Sequence, residues 1–466
     1  MEREALLRKI NDHLGILFTL FFVFVVVVAL ALDFDFLRGF VLMILQIAVV
    51  SALGCVIGVA LAEVVLRSEW MTQSTIRFLR LGLWLPFFAV WATRAWWIPW
   101  NNFLQVSPGV KEILAVVIPA LPTVTFAVCY YYLSARQPLR LHRRRAFLMI
   151  VRPTLLHSLF FALFAQTLLY SDGWQWGISV INPDWRLGRH AATVLLLLGG
   201  FLGLIFLPFG HSFDKVAELS VISSVRQIRS EKLSSFFGAA MLWLLCFAMW
   251  DFYSVFLRDF FAIPPLRNVL RAAYRLLTTG SLVPNMNETL WLDAAVSVQE
   301  IGLGLLLGGV LAFVLVKLIE IAEPTLHLSG VLVFTHSIPI VLAITFMAWI
   351  GIGILLKAAI VAAAALFPFA EAFRGFRTGS LITRISLALE NALPYAFVGM
   401  LFGELWASTA GLGFFLVVAR ATGYETEALA AGLIILVLML SVSVVLRFVI
   451  KRLVNYDDIA EVENRN

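Results

Sequence analysis

The chain has 466 residues, 61% of them hydrophobic and 14% charged, with a formal net charge of +6 and a mean hydropathy of +0.93. A soluble domain carries about 25% charged residues, so this composition excludes a water-surrounded single core and requires lipid. The apolar runs are continuous rather than alternating, which excludes a transmembrane β-barrel, and the basic excess follows the positive-inside bias and calls for no nucleic acid.

Runs of about twenty apolar residues, each long enough to cross a hydrocarbon layer of about 30 Å, predict about twelve helical spans. They lie near 14–32, 40–66, 77–97, 111–134, 153–170, 191–210, 234–257, 294–319, 329–350, 354–375, 392–410 and 428–450. The first run is longer than a signal-peptide core and lacks a small-x-small cleavage site, ending at Asp33 and Asp35. It reads as a retained first span. The three cysteines, Cys55, Cys129 and Cys246, fall inside apolar runs without ligand spacing and read as small buried hydrophobes. Tryptophans such as Trp96, Trp97, Trp100, Trp174 and Trp176 flank spans, as in an interfacial belt.

Basic residues gather in alternate connections: Arg3, Arg8 and Lys9; Arg67, Arg77 and Arg80; and the 136–152 stretch with Arg140, Arg143, Arg144 and Arg145. The same side later collects Lys215, Arg226, Arg229 and Lys232, then Arg374, Arg377 and Arg384, and finally Arg447, Lys451 and Arg452. The bias places both termini in the cytoplasm.

The same hydrophobic plan occurs twice, about 245 residues apart. Gly54 and Gly58 correspond to Gly304 and Gly308, Pro86 to Pro339, Lys111 to Lys357, Pro122 to Pro368, and Pro153 to Pro394. The expected fold is therefore an all-α polytopic membrane protein of about twelve transmembrane helices in two pseudo-symmetric six-helix halves. The N-terminal half spans 1–230, with a degenerate version of the pattern, and the C-terminal half spans 231–466. Two like halves around a central path are a common transporter plan.

Glu404 falls within a span, where an ionised carboxylate is costly unless paired or wetted. It reads either as part of a transport path or as a helix-to-helix hydrogen bond. With Gln166, near its counterpart position in the first half, and Trp406, it forms the candidate substrate path. Glu371 and Arg374 share a helical face and read as an intrahelical ion pair. The glycine pairs fit close helix approach. The arginines near 140–145 anchor a membrane face or meet anionic lipid headgroups. No phosphate-binding Gly-Lys loop, zinc-binding His-Glu pattern, metal-ligand spacing or nucleophile beside a base occurs. The chain therefore reads as a non-enzyme with no cofactor and no metal site.

From about 261 to 458 the chain resembles the permease subunits of binding-protein-dependent ABC importers, in the branch handling nitrate, sulfonates and taurine. The matching stretches run in the family's order. Ile263, Pro264 and Pro265 lead into an amphipathic segment over 268–281, and 294–308 is a small-residue helix. Ser337 and Pro339 precede Trp349, Gly351 and Gly353; Leu393 and Pro394 precede Glu404, Gly411 and Gly413; the last span stops at Arg447, Lys451 and Arg452. The resemblance implies an importer of a small organic or inorganic anion in the bacterial inner membrane. Its partners would be two copies of a cytoplasmic ATPase and a periplasmic substrate-binding protein.

One departure is plain. The family's Glu-Ala-Ala coupling motif is missing, and the connections at 136–152 and 377–390 are short. By position they are the candidate ATPase-coupling loops, carrying Arg140, Arg143, Arg144 and Arg145 in the first half and Arg377, Leu381, Ile382, Arg384 and Ile385 in the second. The departure also fits a different class: a permease-derived membrane scaffold or assembly subunit that has lost its ATPase.

Overall fold

The computed structural model describes residues 34–82, 108–136, scattered positions of 142–158, 233–256, 264–322 except Asn285 and Asn287, 353–375 and 381–453. Every element among them is helical: α1 Phe34–Val65, α2 Glu69–Gly82, α3 Pro108–Arg136, α4 Leu233–Phe256, α5 Leu266–Thr278, α6 Trp291–Ala322, α7 Ile354–Gly375, α8 Leu381–Ala407, α9 Leu412–Ala421 and α10 Glu425–Leu453. Among the described residues six segments are long and apolar enough to cross a membrane: Leu45–Val65, Val116–Arg136, Phe237–Phe256, Trp291–Leu318, Leu381–Glu404 and Glu425–Ile450. That is the architecture a multi-pass membrane protein requires. The expected spans at 14–32, 191–210 and 329–350 lie outside the described residues, as do 153–170 apart from Thr154 and Ser158, and Pro86, Pro153 and Pro339.

Side-chain placement follows from the medium. Along α6, Leu303, Leu306, Val310, Leu311 and Leu318 are exposed. In water such a stripe would be an aggregation liability; against acyl chains it costs nothing. The buried positions are small instead. Gly54 on α1 faces Val124 on α3, where a Cβ would stand 2.7 Å from the valine methyl. At Gly58 a Cβ would stand 2.8 Å from the Thr125 carbonyl oxygen. On α6, Gly304 is pressed against Val361 of α7, and a Cβ at Gly308 would lie 2.9 Å from the Ala362 carbonyl oxygen. Small residues are what let helix backbones approach this closely in a membrane.

The two pairs, α1 with α3 and α6 with α7, share this packing in detail. Buried, half-buried and exposed positions over 51–60 recur one for one over 301–310. On the second helix of each pair, 120–128 match 357–365 at every position except Leu121 and Ala358. The glycine contacts impose the same register, because Val124 and Thr125 stand where Val361 and Ala362 stand. This differs from the correspondence drawn from the lysine and proline landmarks. In the packed pairs Lys357 is equivalent to Ala120, not Lys111, and Pro368 to Tyr131, not Pro122. The two registers differ by nine residues, which at about 3.6 residues per turn is two and a half turns, a half-turn rotation of the face. The landmark alignment therefore matches opposite helix faces. Spacing of prolines and lysines does not report which face meets the neighbour; the glycines do.

Two element boundaries also depart from expectation. The 381–390 stretch, read as a coupling loop, is helix continuous with the following span, so that α8 runs through Pro394. Likewise 69–76, read as a connection, belongs to α2. Both stretches bury a polar-and-apolar face, with Thr72, Ser74 and Ile76 in α2 and Thr383, Ser386 and Leu387 in α8. Hydropathy alone reads such segments as aqueous loops, whereas partly polar packing faces hold them as helix.

Between the two groups of helices, α5 covers the start of α10. Its inner face is Val269, Ala272, Ala273 and Leu276, and Tyr274 is exposed. Arg275 pairs with the nearly buried Glu427 in the first turn of α10. Asp251 of α4 accepts the Leu266 N–H at 3.0 Å, and Trp250 donates to the Pro264 carbonyl at 3.0 Å, tying α4 to the head of α5.

Candidate functional site

At one end of the bundle α6 and α7 begin, α8 ends, and the ten-residue α9 starts. Five polar side chains from three helices converge there. Glu404, three residues from the end of α8, has no exposed surface. Its Oε1 accepts the Ser297 hydroxyl at 2.5 Å, and its Oε2 accepts the Gly413 N–H at 2.5 Å. Ser297 Oγ in turn accepts the Leu412 N–H at 3.0 Å, and Asp293 Oδ1 accepts the Gly411 N–H at 2.7 Å. Three successive N–H groups at the head of α9 thus have acceptors on α6 and α8. These groups have no intrahelical partner, and they form the positive end of the helix dipole, where oxygen acceptors are favoured.

Gly411 makes this approach possible. Its φ of 121° lies where a side chain is strained, and a Cβ would collide with the Glu404 carboxyl. At Gly413 a Cβ would stand 3.0 Å from Glu404 Oε2.

One turn along α7, the Lys357 ammonium pairs with Glu300 of α6. The side chains are 7% and 0% exposed. Lys357 Nζ also lies 3.3 Å from the Ala410 carbonyl in the α8–α9 turn. Gly399 and Gly403 on α8 let α7 come close enough to deliver the lysine: a Cβ at Gly399 would lie 2.9 Å from Val361 Cα, and one at Gly403 3.3 Å from Lys357 Cα. The cluster thus holds two carboxylates and one ammonium, with Asp293 at its rim.

At the opposite end of the helix pairs the polarity is reversed. Tyr132 donates to Glu63 at 2.5 Å in the first pair. The equivalent positions of the second pair are the aromatic Phe369 and the lipid-exposed Phe313.

Of the sequence-derived candidates, the structure brings Glu404 into this cluster. Trp406 lies in the last turn of α8, its side chain outside the described residues, as Gln166, Arg140, Arg145 and Arg377 are altogether. Arg143 and Arg144 are exposed, and Arg143 stands 3.5 Å from Glu63. Leu381, Ile382 and Ile385 are exposed on the first turns of α8, and Arg384 is half-buried there. These four belong to a helix rather than to the expected loop. Sequence reasoning passed over Glu300, Lys357, Ser297 and Asp293. The signal was available: Glu300 and Lys357 are ionisable residues inside predicted spans, the same criterion that singled out Glu404. Lys357 was read only as a landmark of the repeat.

Comparison with known proteins returns no matching family model, no matching curated protein and no matching solved structure.

Proposed function

We propose that the chain is the fused transmembrane component of an ABC-type importer for a small organic or inorganic anion, of the nitrate, sulfonate or taurine kind, in a bacterial inner membrane. In this reading both termini are cytoplasmic, and twelve spans form two six-helix halves. Two copies of a separate ATPase dock from the cytoplasm, and a periplasmic binding protein delivers the substrate. The shared packing of α1 with α3 and α6 with α7 supports a duplicated core. So does the order of landmarks between 261 and 458.

The observation that carries the ATPase part is the exposed apolar start of α8. With 27 residues the helix is about 40 Å long at 1.5 Å per residue, against a hydrocarbon layer of about 30 Å. Glu390 pairs with Arg447 of α10 at 3.0 Å, which suits the membrane edge on that side. The apolar segment Leu381–Glu404 then crosses that edge, and this reading assigns residues 381–389 to the cytoplasmic side, with Leu381, Ile382 and Ile385 at 54%, 56% and 41% exposure. Apolar side chains beyond the acyl chains call for a protein partner.

The competing reading, a scaffold or assembly subunit without ATPase, is favoured by the connection between α7 and α8. Helix α8 reaches back to Leu381, into the stretch where the family's coupling helix would lie. A triple Leu381→Asp, Ile382→Asp, Ile385→Asp variant decides between them. The importer reading expects an ATPase to co-purify with the unmutated protein, and the variant to lose both the ATPase and substrate uptake while staying folded. Recovery of no ATPase with the unmutated protein favours the scaffold.

A further inference from the structure

We propose that Glu300 and Glu404 hold one proton between them, making the cluster at the head of α9 a buried one-proton site. The first reason is charge. With Glu300 and Glu404 ionised and Lys357 charged, the fully buried part of the cluster carries one net negative charge, to which the half-buried Asp293 at the rim adds. Glu300 and Glu404 have no exposed surface, and Lys357 is 5% exposed. A lone charge in that setting is among the costliest things a membrane protein can bury. One proton removes it.

The second reason is geometric. Glu300 Oε1 receives the lysine, whereas Oε2 is buried with no hydrogen-bond donor. Glu404 is hydrogen-bonded to Ser297, three residues before Glu300 and on the same face of α6, which makes the two carboxyls neighbours. Two carboxylate oxygens in this position repel each other, and a proton on one of them turns the contact into a hydrogen bond. Among the described residues no group of three or more His, Cys, Asp or Glu side chains has the arrangement to hold a metal ion, and a proton needs no cavity.

The third reason comes from the matching helix pair. The packing equivalents of Glu300 and Lys357 are Val50 and Ala120, both fully buried. This helix pairing forms without charge at either position, so helix packing does not account for the charges in the second pair. The charged groups facing the site are Asp293 and Glu300 from α6, Lys357 from α7 and Glu404 from α8, with the N–H groups of α9. On α10, Glu427 is paired with Arg275, and Glu390 of α8 with Arg447 at the far end. Loss of the proton sets two carboxylates against each other directly beneath the Ser297 and Gly413 contacts that fix α9. The site would therefore transmit pH to that helix. None of this depends on the ATPase reading.

The test is infrared spectroscopy of the full-length protein in lipid nanodiscs, titrated with pH in light and heavy water. A protonated-carboxyl band with the amplitude of one group is expected near neutral pH, where ordinary exposed carboxyls are ionised, disappearing as pH rises further. Glu300→Gln and Glu404→Gln should each lack it, because either variant leaves one carboxylate and one ammonium and needs no proton. Lys357→Met should roughly double it, because two carboxyls then lack a cation. Absence of the band from the unmutated protein overturns the proposal whether or not the variants fold. So does a band that survives in either glutamine variant.

Discussion

Replacing Lys357 with methionine removes the cation facing Glu300 and leaves two buried carboxyls uncompensated. Breaking one side of a buried pair costs about 3–5 kcal/mol, so Lys357→Met should melt well below the unmutated protein in a detergent thermal-shift assay. The double change Glu300→Val, Lys357→Ala installs the residues at the equivalent positions of the α1–α3 pair and should recover most of the loss. A double variant no more stable than Lys357→Met would mean that the charges are required for packing. Gly411 gives a second test. Gly411→Ala meets both the left-handed backbone and the Glu404 carboxyl, whereas Gly423→Ala, at φ 84°, meets only backbone strain with open space around it. Strain of this kind costs on the order of 1–3 kcal/mol. The Gly411 variant should therefore lose distinctly more thermal stability than the Gly423 variant.

Among the elements, the α6–α7 pair carries a built-in control. Gly304 is pressed against Val361, while Gly302, on the same helix, has nothing within 4 Å. Gly304→Leu should drive the helices apart, lowering the yield of monodisperse protein on size-exclusion chromatography. Gly302→Leu should be neutral or slightly stabilising, by up to about 1 kcal/mol from helix propensity. Equal behaviour of the two would contradict the glycine-mediated contact. At this scale much was legible in the sequence. The expected spans at 40–66, 111–134, 234–257, 294–319, 354–375 and 428–450 each fall on a described helix, because sustained apolar runs have few other stable forms. The start of α8 was not legible. Residues 381–390 mix polar with apolar side chains, and only contact with neighbouring helices shows which face they bury and that they continue into the following span.

For the molecule as a whole, the distribution of arginine and lysine sets the expected orientation. A reporter fused after Glu288 should be active outside the cytoplasm, and one fused after Arg144 active inside it. Those positions bracket the two ends of the bundle, since Glu288 precedes α6 at the Glu404 end and Arg144 follows α3 near Glu63. The opposite result at either point would invert the side on which Leu381, Ile382 and Ile385 meet a partner. It would also move the one-proton site to the other face of the membrane.

Composition and run length by themselves determined the medium and the helical class, because these are sums over many residues and tolerate local ambiguity. The glycine pairs were legible as packing marks, since close helix approach in lipid has few other solutions. The register of the two helix pairs was decided only in three dimensions, where the landmark alignment and the packed one present opposite helix faces. The charge cluster was decided there as well. Glu300, Lys357 and Glu404 are far apart in sequence, and each alone is an isolated ionisable residue in an apolar run. Their meaning depends on distance, since electrostatic interaction in a low-dielectric interior is strong only between groups in near contact. That contact is made by the glycines of α6 and α8, which set how closely the three helices approach.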